Sequence, residues 1–328
     1  MVIGAIFAPA SAQRGAPPVP VPLSPLLRDY QPVTAARLKN PEDENWLMIR
    51  RTYDGWGFSP LTQITPANVS HLRPVWVFST AEARVHQAAP IVNGGVMFVT
   101  SPNNQVIAID VKSGNLLWRY RRPRTPAMSV PHETNRGVAL YDDKVYFAAG
   151  EAVLVALDVR TGREVWTTVV ADNAAGYYTT LAPVVAGDVV MVGASGGEFG
   201  IRGFVAAFDL ETGKERWRSY TVPAPGEPGS ETWPKGDQWK TGGAPVWVSG
   251  NYDPETNLAY WGTGNGGPTI GDQRPGDNLY VTSTIALDVA TGAIKGHFQY
   301  HRTIHGIGTR SHRRSSWTIA TTAARSRD

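Results

Sequence analysis

The amino-acid sequence predicts an all-β fold, a β-propeller with about four blades, because one short unit recurs along the chain. In each copy an apolar run ends at an Asp, a Thr-Gly or Ser-Gly pair follows, and three of the four copies then carry a Trp. Asp caps turns and Gly adopts positive φ, so each copy is expected to form strand, tight turn, strand. The copies cover residues 108–118, 156–166, 207–217 and 286–292.

The spacing of the copies supports the propeller. Their turn residues Asp110, Asp158, Asp209 and Asp288 lie 48, 51 and 79 residues apart. A repeat period of about 40 to 50 residues is typical of propeller blades. The longer last step is attributed to a Pro-, Gly- and Trp-rich insertion over residues 218–250. Since one hairpin cannot bury an indole, we expect each Trp to pack against the neighbouring blade.

A different hairpin precedes each unit. Residues 89–100 bend at Asn-Gly-Gly, and residues 137–147 and 181–192 repeat this design with other polar bends. Short apolar runs around such bends are typical of β-hairpins. A further strand pair is expected over residues 251–265, so that each blade consists of two successive hairpins.

The regions before the propeller are expected to differ from it. Residues 1–12 end in small residues that fit a signal-peptide cleavage site after Ala12. A basic segment is lacking, so we expect a signal peptide that starts upstream of Met1 and directs the chain to the periplasm. Residues 13–45 are rich in Pro and polar residues and are expected to form an N-terminal arm, and the propeller blades are expected within residues 46–301. No segment approaches the roughly 20 apolar residues of a membrane span.

Composition and charge exclude several classes of function. The 328 residues contain no Cys, which excludes disulfides, thiolate metal sites and a Cys nucleophile. The net charge is +3, but residues 302–328 alone hold six Arg and one acidic residue, so residues 1–301 sum to −2. A nucleic-acid site would need its basic residues on a folded face, and we therefore expect no nucleic-acid partner.

Three further segments combine Gly with polar residues. They read Ser-Gly-Gly-Glu-Phe-Gly-Ile-Arg-Gly at 195–203, Thr-Gly-Asn-Gly-Gly-Pro at 263–268 and Arg-Pro-Gly-Asp-Asn at 274–278. Together with the Asp-Gly-Trp units, over about residues 46–301, they resemble the pyrroloquinoline-quinone (PQQ)-dependent alcohol dehydrogenases, the methanol/ethanol dehydrogenase family. The resemblance implies an eight-bladed propeller with the quinone and a Ca²⁺ ion on its axis, of which this chain would carry about half.

The resemblance assigns metal ligands and a floor for the cofactor. Glu198 and Asn265 match the family's metal ligands, and hard oxygen donors are what Ca²⁺ prefers. Trp247 matches the indole beneath the quinone plane, where stacking requires an aromatic ring. Taken singly, these residues would be a solvated loop acid, a turn residue and a core residue. The occurrence of all three residues, in the order in which the family has them, favours a cofactor and metal site.

Further positions match residues that line the cofactor in the family. Glycine lets the backbone approach a ligand closely, hydroxyl groups bond to the carboxylates of the quinone, and an Arg pairs with them. The Arg alone would be a surface charge. These positions are Gln87, Arg136, Thr180, Ser195, Gly196 and Gly197.

The sequence departs from the best-known branch of the family at three places. Gln87 stands where some members have Glu, and Pro245 stands where some have Thr. Val130 and Pro131 replace a vicinal pair of Cys residues. These differences argue against the methanol-specific branch and leave the family assignment unchanged.

The chemistry implied by the resemblance is oxidation of a primary alcohol by hydride transfer to PQQ. Ca²⁺ would act as a Lewis acid and an Asp as the base, and a cytochrome c or another acceptor would take the electrons. The position of that Asp falls on Ile307, which cannot accept a proton. No catalytic residue is therefore identified, and the chain alone is expected to have negligible activity.

Residues 302–328 stand where the segment with that Asp is expected. Their His and Arg residues could be read as a metal cluster or a nucleic-acid patch, but back-translation favours a frameshift. Adding one base after the His301 codon restores a segment of the family type that begins His-Pro-His-Asp-Ser-Trp-Asp. We therefore expect an out-of-frame, disordered tail on a truncated chain. A gene with no in-frame continuation one base away from His301 would contradict this.

Two alternative functions are left open by the sequence. A cofactor-free propeller scaffold for protein assembly shares the repeat but does not require Glu198, Asn265 and Trp247 together. A PQQ-dependent sugar dehydrogenase uses the same cofactor and differs in its loops. Titration with quinone and Ca²⁺ distinguishes the cofactor-free scaffold from a cofactor-binding enzyme. A panel of substrates distinguishes a sugar dehydrogenase from an alcohol dehydrogenase.

Overall fold

The computed structural model describes residues 23–124, 130–131 and 133–302. Within these ranges, sixteen strands form four antiparallel sheets of four strands each, and in every sheet the strands follow the order of the chain. Each sheet is one blade. This arrangement confirms the expected all-β fold and the partial propeller of about four blades.

The strands of the first two blades are β1 (Ile91–Asn93), β2 (Val96–Ser101), β3 (Gln105–Asp110), β4 (Leu116–Arg121), β5 (Ala139–Tyr141), β6 (Lys144–Ala149), β7 (Val153–Asp158) and β8 (Glu164–Val169). Those of the third and fourth blades are β9 (Val184–Ala186), β10 (Val189–Gly193), β11 (Phe204–Asp209), β12 (Glu215–Tyr220), β13 (Asn251–Asp253), β14 (Leu258–Gly262), β15 (Ser283–Asp288) and β16 (Ile294–Gln299). Single-turn 3-10 helices lie at Val69–His71, Asn173–Ala175, Gly197–Phe199, Ser230–Thr232, Gln238–Thr241 and Gly271–Gln273.

The expected Asp turns close the second hairpin of every blade. Asp209 accepts hydrogen bonds from the backbone nitrogen and the hydroxyl of Thr212, at 2.9 and 2.8 Å. The Thr212 bonds, followed by Arg216, lower the pKa of Asp209 to about 2. Gly213 follows with φ +67°, in the left-handed region that favours glycine. Equivalent bonds are made by Asp110, Asp158 and Asp288.

The Trp of one blade docks on the turn of the next, as the sequence predicts. Trp118 Nε1 donates to Val159 O at 2.9 Å, and a Cβ added to Gly162 would lie 2.6 Å from the Trp118 ring. The turn glycine therefore leaves room for the indole. The same contact is made by Trp166 on Leu210 O at 3.2 Å and by Trp217 on Val289 O at 2.8 Å.

Two positions extend or interrupt this pattern. Trp76 Nε1 donates to Val111 O at 2.9 Å and its ring packs on Gly114, so the segment before the first blade supplies a further docking indole. In the fourth blade Gly296 stands at the Trp position, and β16 still pairs with β15. A blade can therefore pair its strands even when its last strand carries no docking indole.

The segment that precedes the propeller lies on the first two blades. Its short helices α1 (Pro25–Arg28) and α2 (Ala35–Lys39) bury Leu27 and Leu38 in the same cluster as the blade residues. Val33 exchanges backbone hydrogen bonds with Asp142, at 3.1 and 2.7 Å. The expected signal peptide at residues 1–12 and all but the first residue of the expected out-of-frame tail, residues 302–328, lie outside the described residues. No helix among those described is long and apolar enough to cross a membrane.

One edge of the blades carries the long loops. The chain enters the first strand of a blade and leaves the second strand at the same edge, because the two are antiparallel. Residues 194–203 and 263–282 connect the second and third strands of the last two blades. Residues 221–250 connect those blades, and this insertion begins three residues later than predicted because β12 extends to Tyr220. All described residues that were expected in the site lie at this edge.

Candidate functional site

Four of the expected residues come from equivalent places in four blades. Each lies three or four residues before the first strand of its blade, and they are Gln87, Arg136, Thr180 and Trp247. Backbone hydrogen bonds join the segments that lead into successive blades: Ala89 N donates to Arg136 O at 3.3 Å, and Arg136 N donates to Thr180 O at 3.1 Å. The Thr180 hydroxyl continues the series by donating to Trp247 O at 2.9 Å. The fold therefore brings three of the four positions into direct contact.

Arg136 supplies a positive charge to this cluster. Its guanidinium carbon lies 4.8 Å from the centroid of the Trp247 ring, and its Nη1 donates to Thr180 O at 3.0 Å and to Trp247 O at 3.3 Å. Burial lowers the pKa of Arg136, but the ordinary value is so high that the group stays a cation at neutral pH. Among the described residues no carboxylate pairs with it. An anionic ligand would therefore meet a cation that still lacks a counter-ion.

Two buried hydroxyl groups belong to the same cluster. The oxygens of Thr180 and Ser195 are 3.3 Å apart, and the two residues are 4% and 2% exposed. Ser195 is held by backbone bonds with Tyr178, whose carbonyl accepts from Ser195 N at 2.8 Å. Because the Thr180 hydroxyl donates its one proton to Trp247 O, the Ser195 hydroxyl is the member of the pair that can donate to a carboxylate or quinone oxygen.

The glycines that follow Ser195 permit a close contact between loops. A Cβ on Gly196 would collide with Gly176 O, and a Cβ on Gly197 would lie 2.8 Å from Pro245 Cγ. Gly196 also has φ +117°, a conformation that side chains rarely allow. The packing of the protein itself therefore requires glycine at both positions, in addition to any requirement that a ligand imposes.

Each of the two expected metal ligands follows a glycine that packs against Pro245. Glu198 follows Gly197, and Asn265 follows Gly264. A Cβ on either glycine would lie 2.8 or 2.9 Å from Pro245 Cγ. One proline ring thus spaces the two ligand-bearing loops.

Both ligand side chains offer oxygen atoms. Glu198 is exposed, and its Oε1 accepts a hydrogen bond from the Tyr178 hydroxyl at 2.5 Å. Asn265 is half-buried, and its amide nitrogen donates to Gly266 O at 3.4 Å. Among the described residues nothing donates to Asn265 Oδ1 or to Glu198 Oε2. One carboxylate oxygen and one amide oxygen are therefore open to a hard cation.

Arg274 is a buried residue that sequence reasoning did not assign to the site. It is fully buried, its Nε donates to Pro268 O at 2.8 Å, and its Nη1 donates to Asn278 Oδ1 at 2.7 Å. A Cβ on Gly266 would lie 2.7 Å from the guanidinium carbon, so the cation packs against the residue next to Asn265. Arg274 thereby fixes the loop that presents Asn265. Its place in the Arg-Pro-Gly-Asp-Asn motif was the only signal available in the sequence.

Two expected positions are not joined to this cluster. Gln87 is exposed, and its side chain makes no hydrogen bond with the described residues. Ile307 lies outside the described residues. Within those residues no group of three or more His, Cys, Asp or Glu side chains could hold a metal. The expected metal site contains one such side chain, Glu198.

The assembled groups suit a planar, anionic ligand beside a hard cation. Arg136 and the Ser195 hydroxyl are donors for carboxylates, and the Trp247 indole offers an aromatic face. Oxygens of Glu198 and Asn265 complete the donor set with the chemistry that Ca²⁺ prefers. The residues present therefore fit PQQ and Ca²⁺.

Comparison with known proteins gives matches over most of the chain. The family model described as the glucose/ethanol/alcohol dehydrogenase β-propeller domain, with PQQ as its short name, matches residues 46–306. The quinoprotein alcohol dehydrogenase PedH of Pseudomonas putida is 42% identical over 286 residues, which are 80% of this chain and 47% of the relative. Subunit 1 of methanol dehydrogenase [cytochrome c] of Methylobacterium organophilum is 36% identical over 292 residues, 80% of this chain and 46% of the relative.

Solved structures agree with these matches. A quinohemoprotein alcohol dehydrogenase, ADHIIG of Pseudomonas putida HK5, superposes with a TM-score of 0.80 at 37% identity, over 84% of this chain and 43% of the other. A europium-containing methanol dehydrogenase gives a TM-score of 0.78 at 35% identity, over 82% of this chain and 51% of the other. The chain spans less than half the length of the curated relatives that it matches.

Proposed function

The chain belongs to the PQQ-dependent glucose/ethanol/alcohol dehydrogenase family, and from this premise we propose that it binds PQQ and Ca²⁺ for the oxidation of a primary alcohol. Its relatives are oxidoreductases that act on alcohols. Because the chain covers less than half of their length, their whole activity is not transferred with the family name. The proposal rests on the residues that this chain itself provides.

The proposal rests mainly on one observation, the environment of Arg136. Arg136 is a half-buried cation without a carboxylate partner among the described residues, and it contacts both the Trp247 ring and the Thr180 carbonyl. A cofactor-free scaffold gains nothing from a desolvated cation of this kind, whose burial costs free energy. A ligand that carries carboxylates and a flat ring system uses both the charge and the indole.

The metal is proposed to lie between Glu198 and Asn265. Both offer oxygen atoms, which hard cations such as Ca²⁺ prefer. The solved structure of a europium-containing methanol dehydrogenase makes a trivalent lanthanide ion the alternative occupant. A binding titration with each ion on the same protein separates the two.

The roles of the chain's own residues follow from their places. A bound PQQ would supply the acceptor for the hydride of the alcohol carbon. Arg136 and Ser195 would donate to its carboxylate or carbonyl oxygens, and Thr180 would position Trp247 through its bond to Trp247 O. Glu198 and Asn265 would hold the metal ion.

The proton of the alcohol needs an acceptor that the sequence does not supply at the expected place. Ile307 stands there and has no basic atom. The loss of a general base typically costs roughly 10²–10⁴-fold in rate. We therefore propose that this chain binds the cofactor and has negligible alcohol-oxidising activity alone, which dye reduction at the rate of an intact dehydrogenase would contradict.

Location and electron acceptor complete the proposal. The Ala-Ser-Ala segment before residue 13 supports export to the periplasm, which N-terminal sequencing of the expressed protein tests. One relative is named as a cytochrome c-linked methanol dehydrogenase, which supports a cytochrome c as acceptor. A sugar in place of the alcohol is the second candidate, because the family description includes glucose.

Equilibrium binding of PQQ tests the proposed function. The full chain is titrated with PQQ in Ca²⁺ buffer while the quenching of Trp fluorescence is followed. Saturable binding that is weakened by a chelator is expected. Absence of saturable binding by a chain with native β-sheet circular dichroism would favour the scaffold function.

A further inference from the structure

The Tyr178 hydroxyl links a buried side chain to the exposed carboxylate of Glu198. Tyr178 is 4% exposed, and its hydroxyl donates to Glu198 Oε1 at 2.5 Å. A tyrosine hydroxyl is protonated at neutral pH, since its ordinary pKa is about 10. A phenol has one proton to donate, and here that proton is directed at one of the two carboxylate oxygens.

Tyr178 is itself held rigidly against the loop that carries Glu198. Its backbone pairs with Ser195 in both directions, with N–O distances of 3.4 and 2.8 Å. Its ring meets Phe199 edge to face, with centroids 6.3 Å apart. A Cβ on Gly176 would lie 2.6 Å from Phe199 Cβ, so the two loops are in close contact. The hydroxyl therefore has a fixed position relative to residues 195–199.

Glu198 depends on this bond for its orientation. It lies in the single-turn helix Gly197–Phe199 and is exposed to solvent. Among the described residues no cation pairs with its carboxylate, and its Oε2 accepts no hydrogen bond. Without the Tyr178 bond the side chain would be free to rotate among several rotamers, at a cost in entropy when it binds an ion.

We propose that Tyr178 is a positioning residue that holds Glu198 Oε1 and thereby presents Oε2 to the metal ion. This inference rests on the proposed function, since it assumes that Glu198 is a metal ligand. Partners of this kind fix ligating carboxylates in metal sites, and their loss typically weakens metal binding by 10- to 100-fold. A purely structural bond would instead affect the stability of the fold and leave metal affinity unchanged.

Tyr178→Phe tests the inference, with Tyr177→Phe as its matched control. Tyr177 is the preceding residue and is half-buried, and its hydroxyl bonds to the backbone of Arg202 at 3.2 Å rather than to Glu198. The probe is Tb³⁺, a luminescent ion with a preference for oxygen ligands, titrated into the full chain without PQQ. We expect Tyr178→Phe to weaken Tb³⁺ binding by about 10-fold or more and Tyr177→Phe to leave it within about twofold. Equal affinities of the two variants would overturn the inference.

Glu198→Gln separates failure of this inference from failure of the proposed function. We expect Glu198→Gln to weaken Tb³⁺ binding and Tyr178→Phe to have no further effect when added to it, because the two act through one ligand. If Glu198→Gln weakens binding and Tyr178→Phe does not, the positioning role alone is wrong. If Glu198→Gln has no effect, the proposed metal site is wrong and the inference falls with it. A further loss when Tyr178→Phe is added to Glu198→Gln would show that Tyr178 acts through the fold, which also overturns the inference.

Discussion

Arg136 and Trp247 lie 111 positions apart in the sequence and 4.8 Å apart in the structure, measured from the guanidinium carbon to the centroid of the indole. Arg136 precedes the second blade, and Trp247 precedes the fourth. Between them Arg136 Nη1 also donates to Thr180 O, at the entrance of the third blade. One side chain thus joins three blades at the edge that carries the long loops, and it keeps a positive charge there.

Removal of the Arg136 charge is expected to weaken PQQ binding. Arg136→Leu eliminates the cation that would pair with the quinone carboxylates, and charge-assisted bonds of this type contribute about 1.5–3 kcal/mol. We expect the dissociation constant of PQQ, measured by quenching of Trp fluorescence, to rise by about 10- to 100-fold. Arg136→Lys should give an intermediate value, because the charge remains while the planar fork is lost.

Arg119→Leu is the matched control for this experiment. Arg119 lies on the outer strand β4 and stacks over Phe78 at 5.8 Å, away from the site. Its removal is expected to leave PQQ affinity unchanged. An equal loss of affinity in Arg119→Leu and Arg136→Leu would mean that only net charge matters.

The docking indoles are expected to stabilise the propeller. Trp118→Ala removes an 8% exposed ring that fills the space above Gly162, and buried Trp→Ala substitutions typically cost about 3–5 kcal/mol. Urea unfolding should show a loss of that size. Trp56→Ala is the control, because Trp56 is 76% exposed and surface substitutions usually change stability by less than about 0.5 kcal/mol. Similar losses for both would contradict the docking account.

Arg274 is expected to be essential for the order of the Asn265 loop. Arg274→Ala leaves Pro268 O and Asn278 Oδ1 without their donor. Hydrogen bonds to charged groups contribute about 1.5–3 kcal/mol each, so we expect the loss of two such bonds to cost about 3–6 kcal/mol in unfolding free energy and to weaken Tb³⁺ binding. Arg216→Ala, whose 47% exposed side chain bonds Asp209 and Asp188, should cost less than about 1 kcal/mol. An intact Tb³⁺ affinity in Arg274→Ala would refute the role given to Arg274.

The Asp209 turn is expected to contribute to acid sensitivity. The Thr212 bonds lower the pKa of Asp209 to about 2, from an ordinary value of 3.8. A group whose pKa is lower in the folded state stabilises the fold above the unfolded pKa, and this stabilisation is lost as the pH falls through the folded pKa. Asp209→Asn should therefore reduce the change of unfolding free energy between about pH 4 and pH 2. Thr212→Val keeps the carboxylate and removes the hydroxyl bond, so it should reduce this pH-dependent change only in part. The same pH dependence in the unchanged protein and in both variants would contradict the prediction.

The repeat made the blades predictable because their physics is local. Asp209, Thr212 and Gly213 act within one turn, and their roles follow from neighbouring residues alone. The direction in which Trp118 packs was also predictable, since one hairpin cannot cover an indole. The docking of Trp76 was not, because its segment is not a copy of the repeat and forms no strand.

The candidate site was predictable only where a motif carried it. Glu198 and Asn265 stand in Gly-rich motifs that resemble the family, but Tyr178 stands in an ordinary Tyr-Tyr-Thr-Thr run. Its contact with Glu198 depends on the fit of two loops, which sequence spacing does not encode. The burial of Arg274 depends in the same way on Gly266, whose missing side chain makes the space.

An experimental structure of the chain with PQQ and Ca²⁺ tests the central claim most directly. We expect quinone density on the Trp247 indole, with carboxylate oxygens within hydrogen-bond distance of Arg136. A metal peak is expected between Glu198 and Asn265. Quinone density at any other place, or a metal bound away from both of these residues, would contradict the proposed site.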